Sequence, residues 1–301
     1  MRIRALAIVC VVIVIALASK TDTVLRAQKG NQEFPESVTG KEIKIPPSPP
    51  GGDLKTVLFN WANHMGMLRG TEQVDAIVTY EYYGTGTVAI GGQPCRLTKY
   101  RVSVNHQDQG MREEIACTLP NGQQHTDNQV VAGQFAWNEV GGVGAGLVPG
   151  KGQAVPAREA LNERLIRLWS TPYGAVKAAT RASANAKATV VSGRNVVTYS
   201  IPGVDGAIAT ATLTVGKGFE PCAANCSERI EVRNGTTVTE FTYSNYGDYN
   251  DAQEKLDAFF PRRIVEKQGT TTLRDITVTN TNISNLYNVM PVPPNVRKGG
   301  N

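Results

Sequence analysis

Cysteines are the residues of this chain whose type and spacing are best suited to chemistry. Cys95, Cys117, Cys222 and Cys226 follow an apolar N-terminal run that holds the fifth, Cys10. The spacing C-x-x-x-C in EPCAANCSERIEV is not the C-x-x-C spacing of a thioredoxin-type redox pair. Zinc needs four ligands, and two cysteines with no histidine nearby in sequence supply only half a site. In an exported chain an even number of cysteines favours disulfides, with three connectivities open.

Other residue types give no catalytic or metal signature. The three histidines, His64, His106 and His125, are far apart in sequence, and the motifs H-E-x-x-H and G-x-S-x-G are absent. GLVPGKG departs from a phosphate loop because its glycines are too close and Gly152 stands where Ser or Thr would bind magnesium. We therefore predict no enzyme activity, no cofactor and no metal, and solvated positions for His106 and His125.

Two neighbouring carboxylates, Glu113 and Glu114 in MREEI, lie in a predicted strand. Neighbours on a strand point to opposite faces, so the pair cannot act together on one substrate. We expect one of them at a solvated edge and the other in a salt bridge.

The N-terminus has the layout of a secretory signal peptide over residues 1–18: MRIR, then the apolar run Ala5–Ala18, then polar SKTDT. Because the run is shorter than the roughly 20 residues of a spanning helix, we expect cleavage and no permanent membrane span. Cleavage after Ala18 and after Ala27 both stay open. We predict a periplasmic or secreted protein. Its charge, +5 in the full chain, is too small and dispersed for a nucleic-acid partner.

After the signal we predict a flexible Pro-rich tether over residues 19–52, one domain over 53–296 and a polar tail over 297–301. In the domain, apolar residues three and four apart from Leu54 to Leu68 predict an amphipathic helix capped by Asp53. Alternation from Val74 to Tyr82 predicts a strand, and two further alternating runs flank the turn NHQDQG as a hairpin.

The second half of the domain begins with a Gly-rich loop, Gly141–Gln153, and a helix that Pro156 should start. TPYGAVKAATRA predicts another helix, and the remainder is β, including a hairpin at Asn234–Gly235. The fold class is therefore α+β, a long antiparallel sheet interrupted by helices.

The predicted hairpin suggests a pairing for the cysteines. Cys95 and Cys117 flank it at similar distances from its turn, so we predict a cross-strand disulfide between them. That leaves Cys222 with Cys226, which would close a short loop between AIATATLTV and ERIEVRN.

Several phrases resemble the lipoprotein-carrier (LolA-like) half-barrels of the bacterial envelope: TATLTVGKG, TYSNYGDY, FFPRRIVEKQGTTTLRDITVTNTNI and VMPVPPNV. LWSTPYGAVKAA and FFPRRIVEKQG also resemble the N-terminal region that precedes metallo-β-lactamase-type domains in some secreted bacterial proteins. These resemblances imply a strongly curved antiparallel sheet, a half-barrel, with helices packed on its concave side.

Aromatic residues suggest a binding hypothesis within such a fold. A curved sheet could close over them as an apolar cavity, or they could simply fill the core: Trp61, Tyr100, Phe135, Trp137 and Trp169. The leading hypothesis is an exported, non-enzymatic protein that binds a lipid, a lipoprotein or another hydrophobic ligand. The alternative is an accessory module that binds an envelope protein, such as a secreted metallo-hydrolase.

Overall fold

The computed structural model describes residues 49–69, 74–216, 222–249, 258–283 and 288–298. The predicted signal peptide and the predicted tether up to residue 48 lie outside these residues. Among the helices described, none is long and apolar enough to cross a membrane.

The described helices are few and short, and the strands dominate. The helices are α1 Leu54–His64, a 3-10 turn Arg158–Ala160, α2 Leu161–Trp169, α3 Pro172–Arg181 and α4 Pro294–Lys298. The strands of the first half are β1 Leu68–Arg69, β2 Val74–Asp75, β3 Thr79–Ile90, β4 Gln93–Asn105, β5 Gly110–Thr118, β6 Gln124–Ala132, β7 Phe135–Val140 and β8 Gln153–Pro156. The strands of the second half are β9 Lys187–Val191, β10 Arg194–Ser200, β11 Ile208–Leu213, β12 Ser227–Asn234, β13 Thr237–Asp248, β14 Phe259–Gln268 and β15 Thr271–Ile283.

One curved antiparallel sheet of 13 strands forms the frame, in the order β8-β7-β6-β5-β4-β3-β15-β14-β13-β12-β11-β10-β9. Nearly all neighbours are joined by hairpins, and the exception is β15, which returns the chain to pair with β3. Because β8 and β9 do not pair with each other, the sheet stays open. The α+β half-barrel expected from the sequence is confirmed.

Local sequence explains most of the elements. The side chain of Asp53 accepts a hydrogen bond from the backbone N–H of Thr56 at 2.7 Å and caps α1 as predicted. The predicted hairpins form between β4 and β5, between β12 and β13 at Asn234–Gly235, and between β14 and β15.

Three element boundaries differ from the prediction. Helix α1 ends at His64, and Leu68 lies in β1 because a turn at Met65–Gly66 reverses the chain. The alternation from Val74 to Tyr82 is broken between β2 and β3. Pro156 ends β8 rather than starting a helix, and the first helical turn begins at Arg158.

The pairing of β3 with β15 joins the two halves of the sheet, and its register shifts between Val278 and Asn280. Gly86 has φ +130°, and a Cβ built there would lie 2.0 Å from the carbonyl oxygen of Asp275. Only glycine fits so close to the neighbouring backbone. A glycine at this point therefore lets the two halves of the sheet meet.

Candidate functional site

The cysteines form two pairs at disulfide distance. The sulfur atoms are 2.12 Å apart in Cys95–Cys117 and 2.09 Å apart in Cys222–Cys226. The second pair does more than close its loop, since both sulfurs lie within 3.5 Å of the carbonyl oxygen of His64. This pair therefore packs against the C-terminal end of α1.

The five aromatic residues considered for a cavity do not share one. Trp61, Tyr100 and Trp169 are buried in the main core, between the helices and the sheet. Trp137 is buried in a second cluster, with Phe135 packed against it. On β6, Val131 belongs to the main core and its neighbour Val130 to the second cluster, which shows that the two clusters occupy opposite faces. The sequence pattern alone did not predict that the two faces of β6 pack into two different apolar clusters.

An interior ion cluster lies between α2 and the sheet, and we define it as Glu113, Arg167, Glu266 and Arg274. Arg274 of β15 holds Glu113 of β5 through two hydrogen bonds of 2.7 and 2.8 Å. Its third donor reaches Glu266 of β14 at 3.0 Å. Arg167 enters from α2, with Nε 3.1 Å from Glu266 and Nη1 3.5 Å from Glu113. The cluster thus ties α2 to strands of both halves of the sheet, which meet where β3 pairs with β15.

Charges in the cluster stabilise one another. Burial alone would raise the pKa of Glu113, but Arg274 and Arg167 outweigh it and lower the pKa to about 2. The hydroxyl of Tyr100 donates a further hydrogen bond to this carboxylate at 2.8 Å. The cavity beside the cluster measures about 20 Å³, room for a single water and not for an acyl chain. The space beside the cluster is therefore too small for a ligand of that size.

Glu114 lies on the opposite face of β5. Its carboxylate contacts Lys99 at 2.7 Å and Arg101 at 3.3 Å. The two glutamates do point to opposite faces, as predicted, but the expected solvated edge is wrong because both are buried. The sequence shows that β5 carries two neighbouring charges. The fold brings arginines from other elements to these carboxylates, and their ion pairs offset the cost of burying them.

A second space, which we call the helix groove, lies between α1 and α3 at the end of β4. It measures about 510 Å³, within the range of about 300–1,000 Å³ of ligand pockets. The apolar residues that line the groove come from α1, from the chain between α1 and β3, and from α3. They are Ala62, Met67, Leu68, Val78 and Val176. Its polar lining is Asp75, His106, Gln107, Lys177, Thr180 and Arg181.

His106 forms a wall of the helix groove and is buried, with 2% of its surface exposed. Asn105 sets its position, because the Asn105 side chain accepts backbone N–H bonds from Gln107 and Asp108 and so tightens the turn after β4. The imidazole stacks on Trp169 with ring centroids 5.6 Å apart. Its expected solvated position is therefore wrong, since a turn residue faces inward here.

Neither ring nitrogen of His106 has a hydrogen-bond partner among the described residues. Burial lowers the pKa of His106 well below its usual range, and the nearby charges of Lys177 and Arg181 lower it further. The imidazole is therefore neutral near pH 7, with one N–H donor and one nitrogen acceptor unused.

Helix α3 brings the two cations to the helix groove. Thr171 caps α3 by accepting the N–H of Gly174 at 3.2 Å, and Pro172 occupies the first turn. A Cβ on Gly174 would lie 2.3 Å from the carbonyl oxygen of Leu168 and 3.1 Å from the ring of His106. This glycine therefore lets α3 pack tightly against both α2 and His106.

The other two histidines do not line the helix groove. His64 ends α1 and is partly buried, as a boundary residue should be, and burial lowers its pKa. His125 lies in β6 opposite Cys117, not in the loop expected for it. No group of three or more His, Cys, Asp or Glu able to hold a metal occurs within the described part of the chain.

Among the described residues that line the helix groove there is a histidine, but no serine or cysteine that it could activate as a nucleophile. The sequence alone did not predict the helix groove, because the residues that line it belong to segments up to more than 100 positions apart. One signal was visible: Lys177 and Arg181 stand four apart on a helix whose other face is alanine-rich.

Comparisons with known proteins add little to this geometry. A scan against protein-family models finds no match, and a search of curated proteins finds no relative. Among solved structures, a LolA superfamily protein from Nitrosomonas europaea is similar at 10% sequence identity, with a TM-score of 0.39. The match covers 78% of this chain and 96% of that chain. A similarity of this size is too weak to transfer a function or a binding site.

Proposed function

We propose that this chain is an exported, non-enzymatic protein that binds a lipid, a lipoprotein or another amphiphile in the helix groove. The observation that carries the proposal is an open space of about 510 Å³ between α1 and α3, compared with about 20 Å³ beside the interior ion cluster. Its apolar lining would receive a hydrocarbon chain, whose burial contributes about 0.8 kcal/mol for each CH₂ group. Export is supported by the N-terminal sequence and by the two cysteine pairs, because disulfides persist in oxidising compartments.

Mass spectrometry of the protein purified from its own compartment tests the proposal most simply. We expect a co-purifying lipid, and displacement of a fluorescent fatty acid from the lipid-free protein by lauric acid. Absence of both a lipid and saturable probe binding would refute the proposal. Recovery of a protein partner without lipid would instead favour the accessory module suggested by the resemblance to regions preceding metallo-β-lactamase-type domains.

A matched pair of substitutions assigns binding to the helix groove. Leu68 and Leu161 are both partly buried leucines at the margin of the main core, but only Leu68 lines the helix groove. We expect Leu68→Asp to abolish saturable fatty-acid binding and Leu161→Asp to preserve it. Equal loss in both variants would show that the effect is general destabilisation.

A further inference from the structure

The polar end of the helix groove carries two cations of α3 and, among the described residues of its lining, one carboxylate. Lys177 and Arg181 share a face of α3 and line the groove together with His106. Lys177 already forms a salt bridge with Asp75. The described residues give Arg181 no carboxylate partner: it donates to the carbonyl oxygen of His106 at 3.0 Å and lies 4.6 Å from the ring centroid of Trp169.

A bound hydrocarbon chain would remove water from this end of the groove. Arg181 is exposed at the edge of the groove, and it would lose part of its hydration without gaining a counter-charge. A neutral or cationic head group would leave this cost in place. A head group with negatively charged oxygens would offset the positive charge and accept hydrogen bonds from Arg181.

We infer that the helix groove selects amphiphiles with an acidic head group, a carboxylate or a phosphate, with Arg181 as its main contact and His106 and Lys177 beside it. This inference rests on the proposed function, since it concerns the same groove. The ligand then lies with its hydrocarbon chain toward Met67 and Leu68 and its head toward α3.

Three probes of one chain length separate the head group from the chain: lauric acid, lauryl alcohol and laurylamine, each titrated at neutral pH into the lipid-free full chain. We expect lauric acid to bind about tenfold more tightly than lauryl alcohol, because its carboxylate accepts charge-assisted hydrogen bonds from Arg181 and the neutral hydroxyl does not. Laurylamine should bind most weakly. Arg181→Gln should reduce the preference for the acid to about twofold or less.

Lys151→Gln is the matched control, because it removes one positive charge from an exposed loop outside the groove and should leave the preference unchanged. Lys177→Gln provides a second test, with a smaller loss of preference since Asp75 already pairs with this lysine. Equal affinities for acid and alcohol, or a preference that survives Arg181→Gln, would overturn the inference while leaving the proposed function intact. If none of the three probes binds saturably, the proposed function itself fails.

Discussion

The interior ion cluster lies beside α2, and the polar end of the helix groove lies beside α3. The two regions differ in how many of their positive charges have a carboxylate partner among the described residues. In the interior ion cluster two arginines face two glutamates beside a cavity of about 20 Å³. The helix groove of about 510 Å³ is lined by Arg181, which has no carboxylate partner among the described residues, and by His106, whose ring nitrogens have no hydrogen-bond partner there. Where each arginine has a glutamate partner, the neighbouring cavity is too small for a ligand. Where an arginine has no carboxylate partner in the described part of the chain, the neighbouring groove is large enough for one, and this is where we propose that a ligand binds.

The largest effect should come from breaking the interior ion cluster. Arg274→Gln leaves Glu113 and Glu266 buried with Arg167 alone, and removing one partner of a buried ion pair costs about 3–5 kcal/mol. We expect the free energy of unfolding to fall by about that amount, measured by chemical denaturation.

Arg263→Gln is its control, because Arg263 holds Asp275 by two similar hydrogen bonds at the surface of β14 and β15. Exposed pairs contribute about 0.2–1 kcal/mol, so the loss should be much smaller. If the two variants lose equal stability, the interior ion cluster is not what holds α2 to the sheet.

The disulfides sharpen the comparison with a smaller effect. Cys95–Cys117 closes a loop with a sequence separation of 22, and Cys222–Cys226 one of four. The chain-entropy relation gives about 3 kcal/mol for the longer loop and about 2 kcal/mol for the shorter. Paired Cys→Ser variants, followed by thermal and chemical unfolding, should show this order, with both variants still folded.

Only the shorter disulfide packs on the end of α1, which leads into the apolar part of the helix groove. Removing Cys222–Cys226 should therefore weaken fatty-acid binding, and removing Cys95–Cys117 should not. The reverse pattern would mean that ligands enter near β4 and β5 instead.

Sequence reasoning recovered much of this fold because its main determinants are local. Two-residue alternation and the turn at Asn234–Gly235 identify hairpins, and the Asp53 cap identifies the start of α1. The pairing of β15 with β3 could not be derived in this way, because it joins strands almost 200 positions apart. The inward position of His106 depends on Trp169 and Gly174 of distant helices, so its sequence neighbours suggested only a solvated turn.

The burial of His106 should make the stability of the protein depend on pH. Burial, with Lys177 and Arg181, lowers the pKa of His106 in the folded state, whereas the unfolded chain titrates near its ordinary value of about 6.5. Below about pH 6.5 the unfolded state therefore binds a proton that the folded state does not, and stability should fall by up to about 1.4 kcal/mol per pH unit. Free energies of unfolding measured between about pH 7 and pH 5 give the slope of stability against pH. This range brackets the unfolded-state histidine pKa of about 6.5.

His64 contributes to the same slope, because burial lowers its pKa as well, although it is less buried than His106. His106→Leu should therefore remove the larger part of the slope and His64→Gln the smaller part. Glu113 contributes only near the lower end of this window, because its loss of stability begins where the unfolded carboxylate binds a proton, near pH 4.5, and continues down to its folded pKa of about 2. An unchanged slope in His106→Leu would show that the folded protein protonates this imidazole without penalty.

The central claim, that ligands bind in the helix groove and not in the concave interior, is tested most directly by filling the groove. Thr180 is an exposed residue of the groove lining, so Thr180→Trp should occupy the space without disturbing the core. Thr237→Trp, at an exposed hairpin, is the control. Calorimetric titration with lauric acid should show binding to the wild type and the control and none to Thr180→Trp, whereas undiminished binding to Thr180→Trp would contradict the claim.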